Sequence, residues 1–122
     1  RHIKQISKLF LNENSLRNFI EEFIKQKEYF LENPQYYIDN NKKIERLKYI
    51  KIEDPIYSYK YRKSGSRKNN KNIRCIFFIY EGRIIVLDIF EENDDNGSAY
   101  KDAIKRAVSE YKIIVEGGKD ED

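Results

Sequence analysis

Two apolar runs separated by only two residues constrain the fold of this chain more than any other feature. Ile73-Arg74-Cys75-Ile76-Phe77-Phe78-Ile79-Tyr80 and Arg83-Ile84-Ile85-Val86-Leu87-Asp88-Ile89-Phe90 are joined at Glu81-Gly82. Ile, Phe and Val suit a pleated, buried surface, and so short a connection admits only an antiparallel hairpin. Ahead of them, Tyr57-Ser58-Tyr59-Lys60-Tyr61-Arg62 alternates strictly, with the tyrosines on one face and Ser58, Lys60 and Arg62 on the other. The pattern predicts three antiparallel strands whose tyrosines cover a helical layer, leaving a basic row on the opposite face.

Upstream the period changes. Leu16, Phe19, Ile20, Phe23, Ile24 and Phe30 recur at three- and four-residue intervals, which predicts an amphipathic helix from the cap candidates Asn14 and Ser15 to near Leu31. Asn33-Pro34 restarts a helix, cap then first turn. This second helix is expected to carry Tyr37, Ile38, Ile44 and Leu47 and to close before Ile50, with Asp39-Asn40-Asn41 weakening its middle. Asp54-Pro55 marks the passage to alternating periodicity. Residues 1–11 keep a helical spacing at Ile3, Ile6 and Leu9 or Phe10 but have a strand's length, and a strand is expected there. After a loop from Asn93, Ser98 is a candidate cap for a short helix beginning near Ala99. The expected fold is α+β: a small antiparallel sheet packed on an N-terminal helical hairpin, with helices on one face and a short C-terminal helix.

A chain of 122 residues, 39 % of them hydrophobic, suits one domain, expected over residues 1–116, with 117–122 a flexible acidic tail. No run approaches the roughly 20 apolar residues of a membrane span, so a cytoplasmic protein with no membrane partner is expected. A single cysteine, Cys75, excludes an internal disulfide and reads as core. The only histidine, His2, leaves no Ser-His-Asp or Cys-His nucleophile for the body of the domain, and neither metal nor cofactor is expected. Chemistry falls to Tyr, Lys, Arg and carboxylates. The net charge is only +3, yet Lys60 to Arg74 holds seven Lys or Arg and no Asp or Glu. That local excess points to an anionic partner at one end of the sheet. Asp88, isolated among apolar residues, is expected to form a structural ion pair.

In Ile56-Tyr57-Ser58-Tyr59-Lys60-Tyr61-Arg62-Lys63-Ser64-Gly65, followed by Ile73-Arg74-Cys75-Ile76-Phe77-Phe78 and by Ala99-Tyr100-Lys101-Asp102-Ala103-Ile104-Lys105-Arg106, the chain resembles the RelE/ParE toxin superfamily, its RelE branch above all. The resemblance covers the C-terminal half, and the loop between the first two motifs is longer than in such toxins. It implies the toxin of a type II toxin-antitoxin system: a ribosome-dependent endoribonuclease (mRNA interferase) in which a 2′-hydroxyl attacks the adjacent phosphate without metal. It further implies a cognate antitoxin as partner, the ribosome and mRNA as targets, and operator DNA reached only through the antitoxin. Matched position by position, Lys60, Arg74 and Tyr100 are the implied catalytic residues and Arg62 a phosphate contact. Lys63, Arg67, Lys68 and Lys71 of the basic loop are the further candidates for binding RNA. The chain departs from the family in carrying Glu91, Glu92, Asp94 and Asp95 where such toxins place basic residues. A non-catalytic toxin, or an inactive relative that binds a protein target or antitoxin, is the alternative.

Overall fold

In the computed structural model, which describes residues 9–10, 13–41, 43–48, 50, 52–62, 72–92 and 97–120, the alternating run and the two apolar runs are neighbouring antiparallel strands. The described elements are α1 (Glu13–Glu32), α2 (Pro34–Asn41), β1 (Ile44–Arg46), β2 (Tyr57–Arg62), β3 (Asn72–Tyr80), β4 (Arg83–Glu92) and α3 (Ser98–Asp120). The sheet has the order β1-β2-β3-β4. The fold is α+β, with a helical hairpin before the sheet and a helix after it.

Glu81 and Gly82 both take positive φ, 52° and 77°, the conformation that matches a two-residue turn to the twist of its strands. In β4 a bulge opposite Ile76 and Phe77 lets Leu87 and Asp88 lie on the same side of the sheet.

The helices lie on both faces of the sheet, not on one. On the first face, Tyr57, Tyr59, Tyr61, Ile73, Cys75 and Phe77 pack with Phe19, Phe23 and Phe30 of α1 and Tyr37 of α2, so the tyrosines do cover the hairpin. Phe30 has its ring centroid 4.9 Å from Tyr57 and 5.7 Å from Phe77. Beneath it, the Tyr37 hydroxyl donates to Gln26 Oε1 at 2.5 Å, which satisfies both polar groups within the hairpin. On the second face, Ile76, Phe78, Leu87 and Phe90 pack against Ala103, Ala107 and Tyr111 of α3. Sequence reading gave this helix too small a part: it runs for 23 residues, through positions 117–120 that read as tail, and Ala99, Tyr100, Ala103, Ile104, Ala107, Tyr111, Ile114 and Val115 join this second core, while Ile113 faces solvent. Asp88, 4 % exposed, receives the Arg106 guanidinium in two hydrogen bonds of 3.2 and 3.0 Å, the expected structural pair.

Two further expectations are corrected. The second helix stops at Asn41, and Ile44 belongs to a fourth strand, β1, paired with Tyr59 of β2. Short polar side chains such as those of Asp39-Asn40-Asn41 compete with the helix for backbone bonds, and Asn40 Nδ2 donates to the Tyr36 carbonyl at 2.9 Å. Gly97, not Ser98, holds the cap position of α3: its carbonyl accepts from the Lys101 amide at 3.1 Å, and its φ is 72°. The strand expected within residues 1–11 lies outside the described residues apart from Leu9 and Phe10, where the chain turns and Phe10 is buried against Phe19.

Because Phe30 is fully buried between both helices and two strands, Phe30→Ala should lower the free energy of unfolding by about 3–5 kcal/mol. Tyr36→Ala, at a side chain 66 % exposed, should change it by less than about 0.5 kcal/mol. Urea denaturation followed by circular dichroism measures both; equal effects would contradict the packing described.

Candidate functional site at the end of the sheet where α3 begins

Register decides what meets on the α3 side of the sheet. Glu45 pairs with Ser58 and Ser58 with Ile76; in the next row Lys60 pairs with Arg74 and Arg74 with Phe90; in the third Arg62 pairs with Asn72 and Asn72 with Glu92. Apolar side chains fill this face only where α3 covers it. Beyond the start of α3 the same face carries Lys60, Arg74 and Glu92, with Tyr100 of the helix's first turn set against Phe90 at 5.4 Å between ring centroids.

Arg74 is the centre of this group. Its side chain is 14 % exposed, and its guanidinium carbon lies 5.2 Å from the Tyr100 ring centroid, within cation–π range. Nε and Nη2 both reach Glu92 Oε1 at 3.2 Å. Nη1 reaches Glu45 Oε1 at 3.5 Å, and the Tyr100 hydroxyl donates to that same oxygen at 3.0 Å. Glu92 is 18 % exposed and Glu45 56 %. The two carboxylates therefore differ: exposed pairs are screened and contribute roughly 0.2–1 kcal/mol, whereas a pair shielded on both sides is held more firmly. Ser58 Oγ, at the floor of the group, is buried.

Burial pushes the Tyr100 phenol up to about 12; the Glu45 carboxylate adds to the rise, while the Ser58 hydroxyl and the Arg74 charge oppose it. Tyr100 is thus a neutral phenol at neutral pH, a proton donor and not a base. Lys60 is exposed and borders a groove of about 600 Å³ between α1 and β2, where Glu21 and Glu22 face Lys25, Lys43 and Lys60. Cys75 is packed in the first core, and burial raises its thiol to about 12, which suits a packing role. No group of three His, Cys, Asp or Glu among the described residues could hold a metal.

Comparison of the chain with models of protein families, with curated proteins and with solved structures finds no match. Its own residues carry the functional argument.

Of the residues singled out in the sequence, Lys60, Arg74 and Tyr100 stand at one end of one face; Lys60 is Arg74's cross-strand partner, and Tyr100 lies against the Arg74 guanidinium. Arg62 occupies the last position of β2, two pairs beyond Lys60. Lys63, Arg67, Lys68 and Lys71, with Asp94 and Asp95, lie outside the described residues. Sequence reading expected an uncompensated basic face; at Arg74 it is compensated. Glu92 is near in space because β4 is β3's neighbour, a fact implicit in the predicted hairpin. Glu45 was missed because Ile44 and Leu47 had been assigned to the helix; the signal against that was Asp39-Asn40-Asn41.

The buried phenols give a pH dependence whose sign is fixed. Tyr37, Tyr100 and Tyr111 are each raised to about 12, first by burial, and Tyr59 is raised further by the same cause. A phenol raised in the folded state stabilises it fully below the unfolded value near 10, and that contribution is lost as pH rises from there through the folded value. Stability should be flat in this respect below about pH 9.5 and fall between about pH 10 and 12. Absorbance at 295 nm should show exposed tyrosines ionising first and the rest only as circular dichroism reports unfolding. All ten tyrosines titrating together near pH 10 in a folded protein would contradict this.

Proposed function

We propose that this protein is the toxin of a type II toxin-antitoxin system, a cytoplasmic, ribosome-dependent endoribonuclease that cleaves mRNA by 2′-hydroxyl attack without metal. The observation that carries the reading is the convergence of Arg74, Tyr100 and Glu45 beside the exposed Lys60, at the end of the sheet face where α3 begins. The similarity of the motifs around Lys60, Arg74 and Tyr100 to those of RelE-like toxins supports it.

Strand scission by this route forms a bond from the 2′-oxygen to phosphorus and breaks the bond to the 5′-oxygen, leaving a cyclic phosphate and a 5′-hydroxyl. Negative charge grows on the phosphate oxygens, where a guanidinium fixed in a partly buried site stabilises it most. Arg74 takes that role. The proton lost by the 2′-hydroxyl needs a base, and Glu45 is the half-exposed carboxylate in contact with both Arg74 and Tyr100. Tyr100, neutral at working pH, donates to an oxygen of the phosphate or to the departing 5′-oxygen. Lys60 and Arg62 hold the neighbouring phosphates.

This reading gives the antitoxin the outer row of α1. Helices pack on both sheet faces and, among the described residues, no large apolar side chain of the strands is exposed, but Ile20, Ile24 and Leu31 remain 41, 46 and 36 % exposed on the first helix. One observation favours a second reading, a non-catalytic toxin or inactive relative that works by binding a protein: Arg74 already holds two carboxylates, which reduce the field it offers a phosphate.

Primer extension on translating ribosomes decides between them. The unaltered protein should cut mRNA in the ribosomal A site, and Arg74→Ala should lower the cleavage rate by about 10² or more while weakening binding less. No cleavage by the unaltered protein, or full cleavage by Arg74→Ala, would overturn the catalytic reading.

A further inference from the structure

We infer that Glu45 Oε1 marks the anion-binding point of this site, and that an RNA phosphodiester binds Arg74 by displacing the Glu45 carboxylate while Glu92 stays in place. The identity of the ligand as RNA rests on the function proposed above; the displacement itself rests on geometry.

Two donors from separate elements, Arg74 Nη1 of β3 and the Tyr100 hydroxyl of α3, converge on one oxygen of Glu45 at 3.5 and 3.0 Å. A carboxylate oxygen and a phosphate oxygen are alike in charge and in the hydrogen bonds they accept, so a position that suits the first suits the second. The guanidinium's other edge is not offered, because Nε and Nη2 are spent on Glu92, which also accepts from Asn72 Nδ2 at 3.5 Å and is largely shielded from water. Glu92 therefore orients the guanidinium, with Nη1 directed toward β1. Glu45 is different. It sits on a three-residue edge strand, its side chain is 56 % exposed, and its contact with Arg74, 3.5 Å, is longer than the two that Arg74 makes with Glu92. The contrast with Arg106 is direct: that guanidinium meets Asp88, whose side chain is 6 % exposed and bound at both oxygens, an arrangement that leaves no exchangeable partner.

When a phosphate oxygen replaces Glu45 Oε1, the Arg74 and Tyr100 donors keep a partner and the carboxylate returns to water next to the bound nucleotide. The exchange explains how a site paired to carboxylates at rest can bind a polyanion: the Arg74 and Tyr100 contacts to a half-exposed, screened carboxylate are replaced by the same two contacts to a phosphate.

The test is binding of a fluorescein-labelled hexaribonucleotide with 2′-O-methyl sugars, which 2′-attack cannot cleave, read by fluorescence anisotropy at low salt. Glu45→Gln, whose amide oxygen can still accept from Tyr100, should bind it about two- to fivefold more tightly than the unaltered protein, the upper part of the range expected when one screened competing charge is lost. Glu28→Gln, the same charge change on the exposed side of α1, controls for net charge and should leave affinity within about twofold. In an Arg74→Ala background, Glu45→Gln should give no gain. The inference is overturned if Glu45→Gln binds no more tightly than Glu28→Gln, if its gain survives Arg74→Ala, or if none of the proteins binds the probe. A ribosome assay on the unaltered protein, run in parallel, reports on the nuclease reading alone: absence of cleavage with a tighter Glu45→Gln complex would sink that reading and leave the displacement standing.

Discussion

Burial of β3 on both faces organises the rest of this molecule. Phe77 and Phe78 are consecutive, both fully buried, and belong to opposite cores. Successive side chains of a strand point to opposite faces, so two adjacent phenylalanines out of water require a layer above the sheet and another below. The hairpin of α1 and α2 supplies one and α3 the other. A single helical layer would leave Ile76, Phe78, Leu87 and Phe90 in solvent, at a cost of about 1.5–3 kcal/mol for each large side chain.

The same constraint positions the site. As α3 lies along β3 and β4, its Ala103 and Ala107 meet the sheet closely while Tyr111 reaches Phe78 at the far end, 5.0 Å between ring centroids. The Tyr111 hydroxyl donates to Asp54 Oδ2 at 2.6 Å, so the helix is also tied to the segment that leads into β2. At the near end the helix begins over Phe90, and polar residues gather round that point: Arg74 beside Phe90 in the same row, Glu92 in the next row out and Glu45 across Ser58. Charge on this surface is therefore shielded on one side by Tyr100 and open on the other, which is the setting in which a guanidinium acts strongly on an anion yet can still be reached by one.

Much of this was legible in the residues. The strict alternation of 57–62 and the two-residue connection at Glu81-Gly82 carry strands β2 to β4, the tyrosine-covered face and the placing of Lys60 and Arg74 on adjacent strands, though not their direct pairing. The second layer was implicit in the consecutive apolar residues of β3, which period-2 reasoning assigns to both faces, but the closing helix was taken as short. β1 was hidden because three residues give no periodicity, and Ile44 and Leu47 fall at a helical spacing. Glu45 was lost with it. The charge balance at Arg74 escaped a linear reading for a similar reason: the acid-free stretch from Lys60 to Arg74 is real along the chain, yet Glu45 and Glu92 come from strands on either side of the β2–β3 pair.

The central claim is that the uncovered end of the α3 face, organised by Arg74, is where RNA binds. Mapping backbone amide shifts by two-dimensional NMR as the non-cleavable hexaribonucleotide is added tests it most directly. The account predicts that the largest changes fall at Glu45, Lys60, Arg74, Glu92 and Tyr100, brought together from β1 to β4 and the start of α3. Changes confined to the outer surface of α1 and α2, or none at all, would contradict it.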